Sequence, residues 1–146
     1  MSKEQELYDQ VNRLKWHSHS QSEISGGWTF LSAPLTSTSW DGDAHSTETT
    51  TLIDLSAVFS VPAGVKAVLL RVDCRDSGSA SDSVYFYAGP TNTAYYQVVN
   101  RPPGGDLKRQ IQEVCNCNTD GDIYYRIGAS GSGTMDVWLE IWGYYI

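Results

Sequence analysis

Apolar positions change their spacing along this chain. In residues 4–16, EQELYDQVNRLKW, Leu7, Val11 and Leu14 are separated by four and three residues, which puts one apolar stripe on one face of a helix. Residues 17–27, HSHSQSEISGG, are rich in Ser and Gly and carry no apolar period beyond Ile24, so they read as a connector. From Trp28 onward the spacing is that of strands. WTFLSA and TTTLIDL come first, and a Pro62-Ala63-Gly64 turn then leads into the apolar run Val65–Cys74. SVYFYAG, AYYQVV, LKRQIQEVC and DIYYRIGAS follow, the last of them after the turn signal Asn118-Thr119-Asp120-Gly121. In the final segment, TMDVWLEIWGYYI, Met135, Val137, Leu139 and Ile141 alternate with Asp136, Trp138, Glu140 and Trp142.

Eight strand candidates punctuated by Gly, Pro, Asn and Asp predict an all-β fold: an antiparallel two-sheet sandwich of jelly-roll type with a short N-terminal α-helix. An up-and-down barrel is the alternative. The segments are not self-similar, so no internal repeat is expected. The expected organisation is an N-terminal helix and connector over residues 1–27 and a β-sandwich head over residues 28–146.

A lone helix of this length is marginal in water, because nucleation costs more than so few hydrogen bonds return. It must therefore dock on its own body, on identical helices of other subunits, or on a larger partner. Leu7, Val11, Leu14 and Trp16 are the expected attachment and trimerisation residues. The last strand raises the same question, since Trp138 and Trp142 occupy the face where a solvated strand carries polar groups, and the chain ends in Tyr144, Tyr145 and Ile146. These rings either form an interface between copies or fill a sandwich core buried on both faces. The chain is rich in such rings, with 5 Trp and 9 Tyr, and both types favour interfaces.

The length of 146 residues with 40% hydrophobic positions suits one domain, which needs neither metal nor disulfide to fold. The net charge is −7, and beyond residue 30 there are 7 basic against 13 acidic groups, so the body repels a phosphate backbone and a nucleic-acid role is not expected. No window approaches the about 18 consecutive apolar residues of a membrane span. MSKEQELYDQ lacks the apolar core of a signal peptide, and the expectation is a protein assembled in the cytoplasm where it is made. Cys74, Cys115 and Cys117 cannot all pair with one another, and Cys-x-Cys without a companion pair is no zinc motif, so buried or half-buried thiols are expected.

Several groupings bear on chemistry. His17 and His19 point the same way in an extended segment. In a threefold assembly they would supply six imidazoles, enough for an octahedral transition-metal ion on the axis; in a single chain they read as a solvated linker. Trp40-Asp41-Gly42-Asp43-Ala44-His45 places two carboxylates and an imidazole close together, but nothing completes a site and Asp-Gly-Asp is a common turn. Asn116-x-Asn118-x-Asp120-Gly121 matches half a calcium loop, but Ile127 stands where the acidic ligand belongs, so a hairpin turn is expected. No serine sits in a Gly-x-Ser-x-Gly elbow, and Gly128–Gly133 opens no helix that would bind phosphate, so an enzyme is not expected. For carbohydrate, Trp40 beside Asp41 and Asp43, and Tyr95-Tyr96 near Asn92, are the candidate contacts.

His17-x-His19-x-x-Ser22-Glu23-Ile24, between a short heptad-like helix and a β-rich body, resembles a segment of tailed-bacteriophage fibre and appendage proteins. LIDLSAVFSVPAGVKAVLLRVDCRDSGSA and GDIYYRIGASGSGTMDVWLEIWGYYI are similar to small C-terminal modules of phage tail-fibre or virion proteins. The resemblance covers most of residues 17–146, and its motifs are structural rather than catalytic. It implies a non-enzymatic virion protein: a homotrimer held on the particle by its N-terminal segment, with other phage structural proteins as partners and a host surface glycan as a further candidate. The chain departs from such fibres in having no long shaft of repeats. Short tail fibre, fibre tip and capsid decoration protein therefore all stay open.

Overall fold

Alternation sends every second side chain of a strand to the same face, and in the computed structural model that rule builds two sheets packed on one core. The structure describes residues 2–5, 26–37, 39–40, 42, 49–81, 83–93 and 96–146. The strands are β1 Trp28–Leu35, β2 Thr51–Ile53, β3 Ala67–Asp76, β4 Tyr85–Gly89, β5 Val98–Asn100, β6 Arg109–Asn116, β7 Ile123–Gly128 and β8 Met135–Tyr145. A helix, α1 Leu55–Phe59, lies between β2 and β3.

One sheet has the order β1-β8-β3-β6 and the other β2-β7-β4-β5. The first strand pairs with the last, β2 with β7, β3 with β6 and β4 with β5, all antiparallel. The chain is thus one long hairpin with its tip at β4–β5, rolled until β3 also meets β8 and β4 meets β7. That is a jelly roll, as the sequence predicts. An up-and-down barrel would join every consecutive strand, and among the described residues only β4 and β5 are joined so.

The inner faces read as the pattern requires. Leu70, Val72, Cys74, Leu139 and Ile141 of the first sheet pack towards Phe86, Ala88, Ile123, Tyr125 and Ile127 of the second. Asn100 is buried at the margin, where its Nδ2 donates to the carbonyls of Val72 (3.0 Å) and Arg109 (3.1 Å). These bonds tie β5 of one sheet to β3 and β6 of the other.

Two expectations need correction. Strand TTTLIDL stops at Ile53, and Asp54 opens a helix in its place. The Asp54 carboxylate caps that helix by accepting from the Ala57 N–H (2.9 Å), and Leu55 and Phe59, four residues apart, bury one face. The helix ends at Ser60 in the left-handed region (φ 59°), just before Pro62. The second correction concerns residues 118–122, which form no hairpin because β6 and β7 lie in different sheets. Asn118 Oδ1 instead accepts from the Asp120 and Asp122 N–H groups (2.9 Å each), organising a turn that crosses from sheet to sheet. Gly121 takes φ +89° there. No helix among the described residues is long and apolar enough to cross a membrane.

Candidate functional site

The outer face of the first sheet is divided into an apolar half and a charged half. Register places Phe30, Gly143, Leu69 and Val114 in one row across all four strands, with Trp28, Tyr145, Ala67 and Asn116 in the next. Phe30 is 71% exposed and Val114 46%. The Trp28 and Phe30 rings stack at 5.8 Å, and Tyr145 lies 5.9 Å from Trp28. Gly27 and Ile146 exchange backbone hydrogen bonds (3.1 and 3.3 Å), so the chain enters the fold beside this band.

Beyond the band the same face is charged. Arg71 stands opposite Glu140 and is 3.4 Å from its carboxylate and 3.2 Å from that of Asp73. Arg75 Nε donates to Asp136 (2.6 Å), and Lys108 Nζ lies 3.8 Å from Asp73. Trp138 sits among them, 43% exposed, with Arg75 and Lys108 at 5.7 and 5.2 Å from its ring centroid.

The four aromatic residues expected at an interface divide accordingly. Trp138 faces outward, and Tyr145 faces the apolar band. Trp142 is half-buried and its Nε1 donates to Glu140 (2.8 Å). Tyr144 needs correction, because it packs against the core. Strict alternation would group it with Trp138 and Trp142, but the register skips Trp142: Leu70 pairs with Ile141 and Leu69 with Gly143. One extra residue reverses the faces beyond it.

A cleft of about 350 Å³ opens where β1 leaves β8. It brings Trp40 and Trp138 together with Thr36, Ser37 and Glu140, and Val137 and Leu139 contribute apolar lining. Trp40 is half-buried, its ring set edge-on to Tyr125 at 5.5 Å and 89°. Its backbone N–H donates to Ser37 Oγ (2.9 Å). Gly42 is buried close by, where a Cβ would fall 2.5 Å from that of Val137.

On the outer face of the second sheet, Tyr85 and Tyr87 stack at 4.1 Å and Tyr96 lies 4.8 Å from Tyr87. Arg101 covers both Tyr85 and Tyr87 and donates from Nη2 to the Tyr87 hydroxyl. Tyr96, a candidate sugar contact, is therefore one leaf of a stack rather than a ring presented singly, and its hydroxyl shares a hydrogen bond with Thr50 (3.1 Å).

Leu7, Val11, Leu14, Trp16, His17, His19, Asp41, Asp43 and Tyr95 lie outside the described residues. Among the described residues no three His, Cys, Asp or Glu side chains are placed to share a metal ion. The thiols of Cys74, Cys115 and Cys117 are free and buried or half-buried, and burial pushes each up to about 12. Burial would also raise the Asp76 carboxyl. Hydrogen bonds from the Ser130 hydroxyl and N–H, from the Gly78 N–H and from the Thr134 hydroxyl outweigh that and hold it below its ordinary value. That network pins the β7–β8 connection, which the Gly128–Gly133 run forms. Trp28, Phe30, Leu69 and Val114 were not identifiable as a site from spacing, because the row exists only across four strands that are distant in sequence.

No protein-family model matches this chain, and no curated protein matches it. Among solved structures it is similar to a chain of the Nora virus structure, at 8% identity and a TM-score of 0.37 over 84% of this chain and 60% of that one. It is also similar to carbohydrate-binding module CBM6cm-2 of Cellvibrio mixtus lichenase 5A, solved with cellotriose, at 11% identity and a TM-score of 0.34 over 80% of this chain and 97% of that one. The chain thus spans 60% of the length of the Nora virus chain. Likenesses of this strength carry no argument about what the chain does.

Proposed function

We propose that the chain is a non-enzymatic virion structural protein, a homotrimeric tail-fibre head held on the particle by residues 1–27. The observation that carries the reading is the row Phe30–Gly143–Leu69–Val114, an apolar line across an outer sheet face beside the point where the N-terminal segment enters. Such a face normally carries polar groups, and covering it with a second copy removes Phe30 and Val114 from water. The phage-like sequence features of residues 17–146 support the virion setting. Leu7, Val11, Leu14 and Trp16 would then pack on the threefold axis or into a socket on the particle. Three anchors on one rigid head make the later contacts intramolecular and so hold firmly even if each is weak. Capsid decoration is the second placement, with the same architecture on a different part of the particle.

Light scattering on the whole chain tests the assembly. The expected mass is three times the 16.1 kDa of one chain, and a monomer overturns the trimer. Deleting residues 1–16 should leave particles without this protein's density in electron micrographs, and the position of that density in the wild type separates tail from capsid.

A further inference from the structure

We propose that the copies are joined edge to edge, strand β6 of one copy adding to strand β1 of the next in a ring of three. The inference rests on the homotrimer proposed above and names the surface that closes it. β1 and β6 are the edge strands of the first sheet, and among the described residues no strand covers the far side of either. β6 is a long, regular edge: all eight of its residues, Arg109–Asn116, pair with β3 without a shift, and none is proline. Printed hydrogen bonds fix which backbone groups it leaves open. The Cys117 N–H donates to Lys66 O (2.8 Å), so the positions bonded to β3 fall on Cys115, Glu113 and every second residue before them. Gln110, Gln112, Val114 and Asn116 therefore turn their N–H and C=O groups away from β3, and the Asn116 N–H accordingly donates to Gln97 Oε1 (2.7 Å). On β1, Gly27 exchanges bonds with Ile146, so Thr29 faces β8 while Trp28 and Phe30 turn their backbone groups outward.

Three features make these two edges fit one another. Neighbours in the sheet are all antiparallel, so β6 runs opposite to β1, and rotation about an axis along the strands brings the two together antiparallel like every other pair. Phe30 and Val114 both present open backbone groups, as a hydrogen-bonded pair requires. They are also the two ends of the row Phe30–Gly143–Leu69–Val114, with side chains on the same face, so pairing them joins three rows into one band around the axis. Phe30 and Val114, 71% and 46% exposed in one copy, are then covered by the neighbouring strand and by each other. The joint has stops at both ends. Pro34 lacks an N–H and β1 shifts its register against β8 beyond Phe30, while the Asn116 N–H is already taken by Gln97. The charged half of the face needs no cover, because Arg71 meets Glu140 and Arg75 meets Asp136 within one chain. A head-to-tail contact of this kind forms a closed ring when the rotation between copies closes, and a threefold axis meets that condition.

Amide hydrogen exchange on the whole chain, resolved to single residues, tests the joint. In the wild-type trimer the Val114 N–H should exchange at least about tenfold more slowly than in monomeric Phe30→Ser, where it faces water. The Glu113 N–H, turned towards β3, should be slow in both and is the control. Val114→Pro gives a second reading. It removes only an N–H that points away from β3 and keeps an apolar side chain in the row, so it should fold with an unchanged circular dichroism spectrum and yet sediment as a monomer. Val114→Ala, which keeps the N–H and loses apolar surface, should retain more of the trimer. Val114 exchange that is the same in trimer and monomer overturns the joint and leaves the trimer standing: fast in both means an unpaired edge, slow in both an edge covered by the chain's own residues. A folded Val114→Pro chain that trimerises as well as Val114→Ala does the same. A monomeric wild type overturns trimer and joint together.

Discussion

Gly143 stands opposite Phe30 across the β1–β8 pair, and a Cβ added to it would come within 3.3 Å of Phe30 Cδ1 and 3.0 Å of the Thr29 carbonyl oxygen. The missing side chain is what allows the most exposed ring of this face to lie across β8. Because Phe30 is already 71% exposed, Phe30→Ser should change the stability of a single chain by no more than about 0.5 kcal/mol. It should nevertheless convert the assembly to monomers in light scattering. A large drop in melting temperature at unchanged mass would show that the ring serves the fold rather than the association.

Asp76 links acid stability to the β7–β8 connection. Its carboxyl is held below the ordinary 3.8, so the stability it contributes is fully present above that unfolded value and is lost as pH falls through the lower folded one. Asp76→Asn should cost about 1.5–3 kcal/mol at pH 7, from weakened bonds to Ser130, Gly78 and Thr134. The gap between variant and wild type in urea melts should narrow as the pH is lowered below about 4. A gap that widens in acid would reverse the assigned sign.

The thiols should be nearly inert in the folded chain. With burial pushing each up to about 12, almost no thiolate exists at pH 8, and Ellman's reagent should react slowly with the native protein. Guanidinium should release three equivalents rapidly, one for each Cys. Fast stoichiometric reaction without denaturant would mean the strands bearing Cys74 and Cys115 open readily.

Gly104 approaches the backbone of a neighbouring loop more closely than a side chain allows. A Cβ there would fall 2.4 Å from the Ala80 carbonyl carbon, beside the hydrogen bond from the Gly105 N–H to Ser79 O (2.8 Å). Gly104→Ala should therefore destabilise by about 1–3 kcal/mol, because backbone must move. Gly27, with open space around its Cβ position, is the control, and Gly27→Ala should fall within about 0.5 kcal/mol of wild type. Equal effects of the two would contradict the close packing of these loops.

Much of the strand inventory was legible because alternation is a local property. β8 shows it most clearly: Met135, Val137, Leu139 and Ile141 are buried, as their spacing predicts, while Trp138 points out. Where local patterns compete, reading fails. Ile53-Asp54-Leu55 looks like a strand until Asp54 is seen to cap a helix, and the two-residue period misassigns Tyr144 because it takes no account of a bulge at Trp142. Trp40, a candidate sugar contact beside Asp41 and Asp43, proves to stand against Tyr125 and to share its cleft with Trp138, nearly a hundred residues away in sequence.

The chain's own pattern determined that it would form antiparallel strands in a two-sheet body, which residues would turn inward, and where glycines and prolines would break the run. Side-chain period and turn chemistry act over a few residues, so they can be read without coordinates. Which strands became neighbours was decided only when the long hairpin rolled up. That event aligned Phe30, Gly143, Leu69 and Val114 in one row and brought Trp40 and Trp138 to the border of one cleft, and register between distant strands follows from packing the whole core rather than from any single segment.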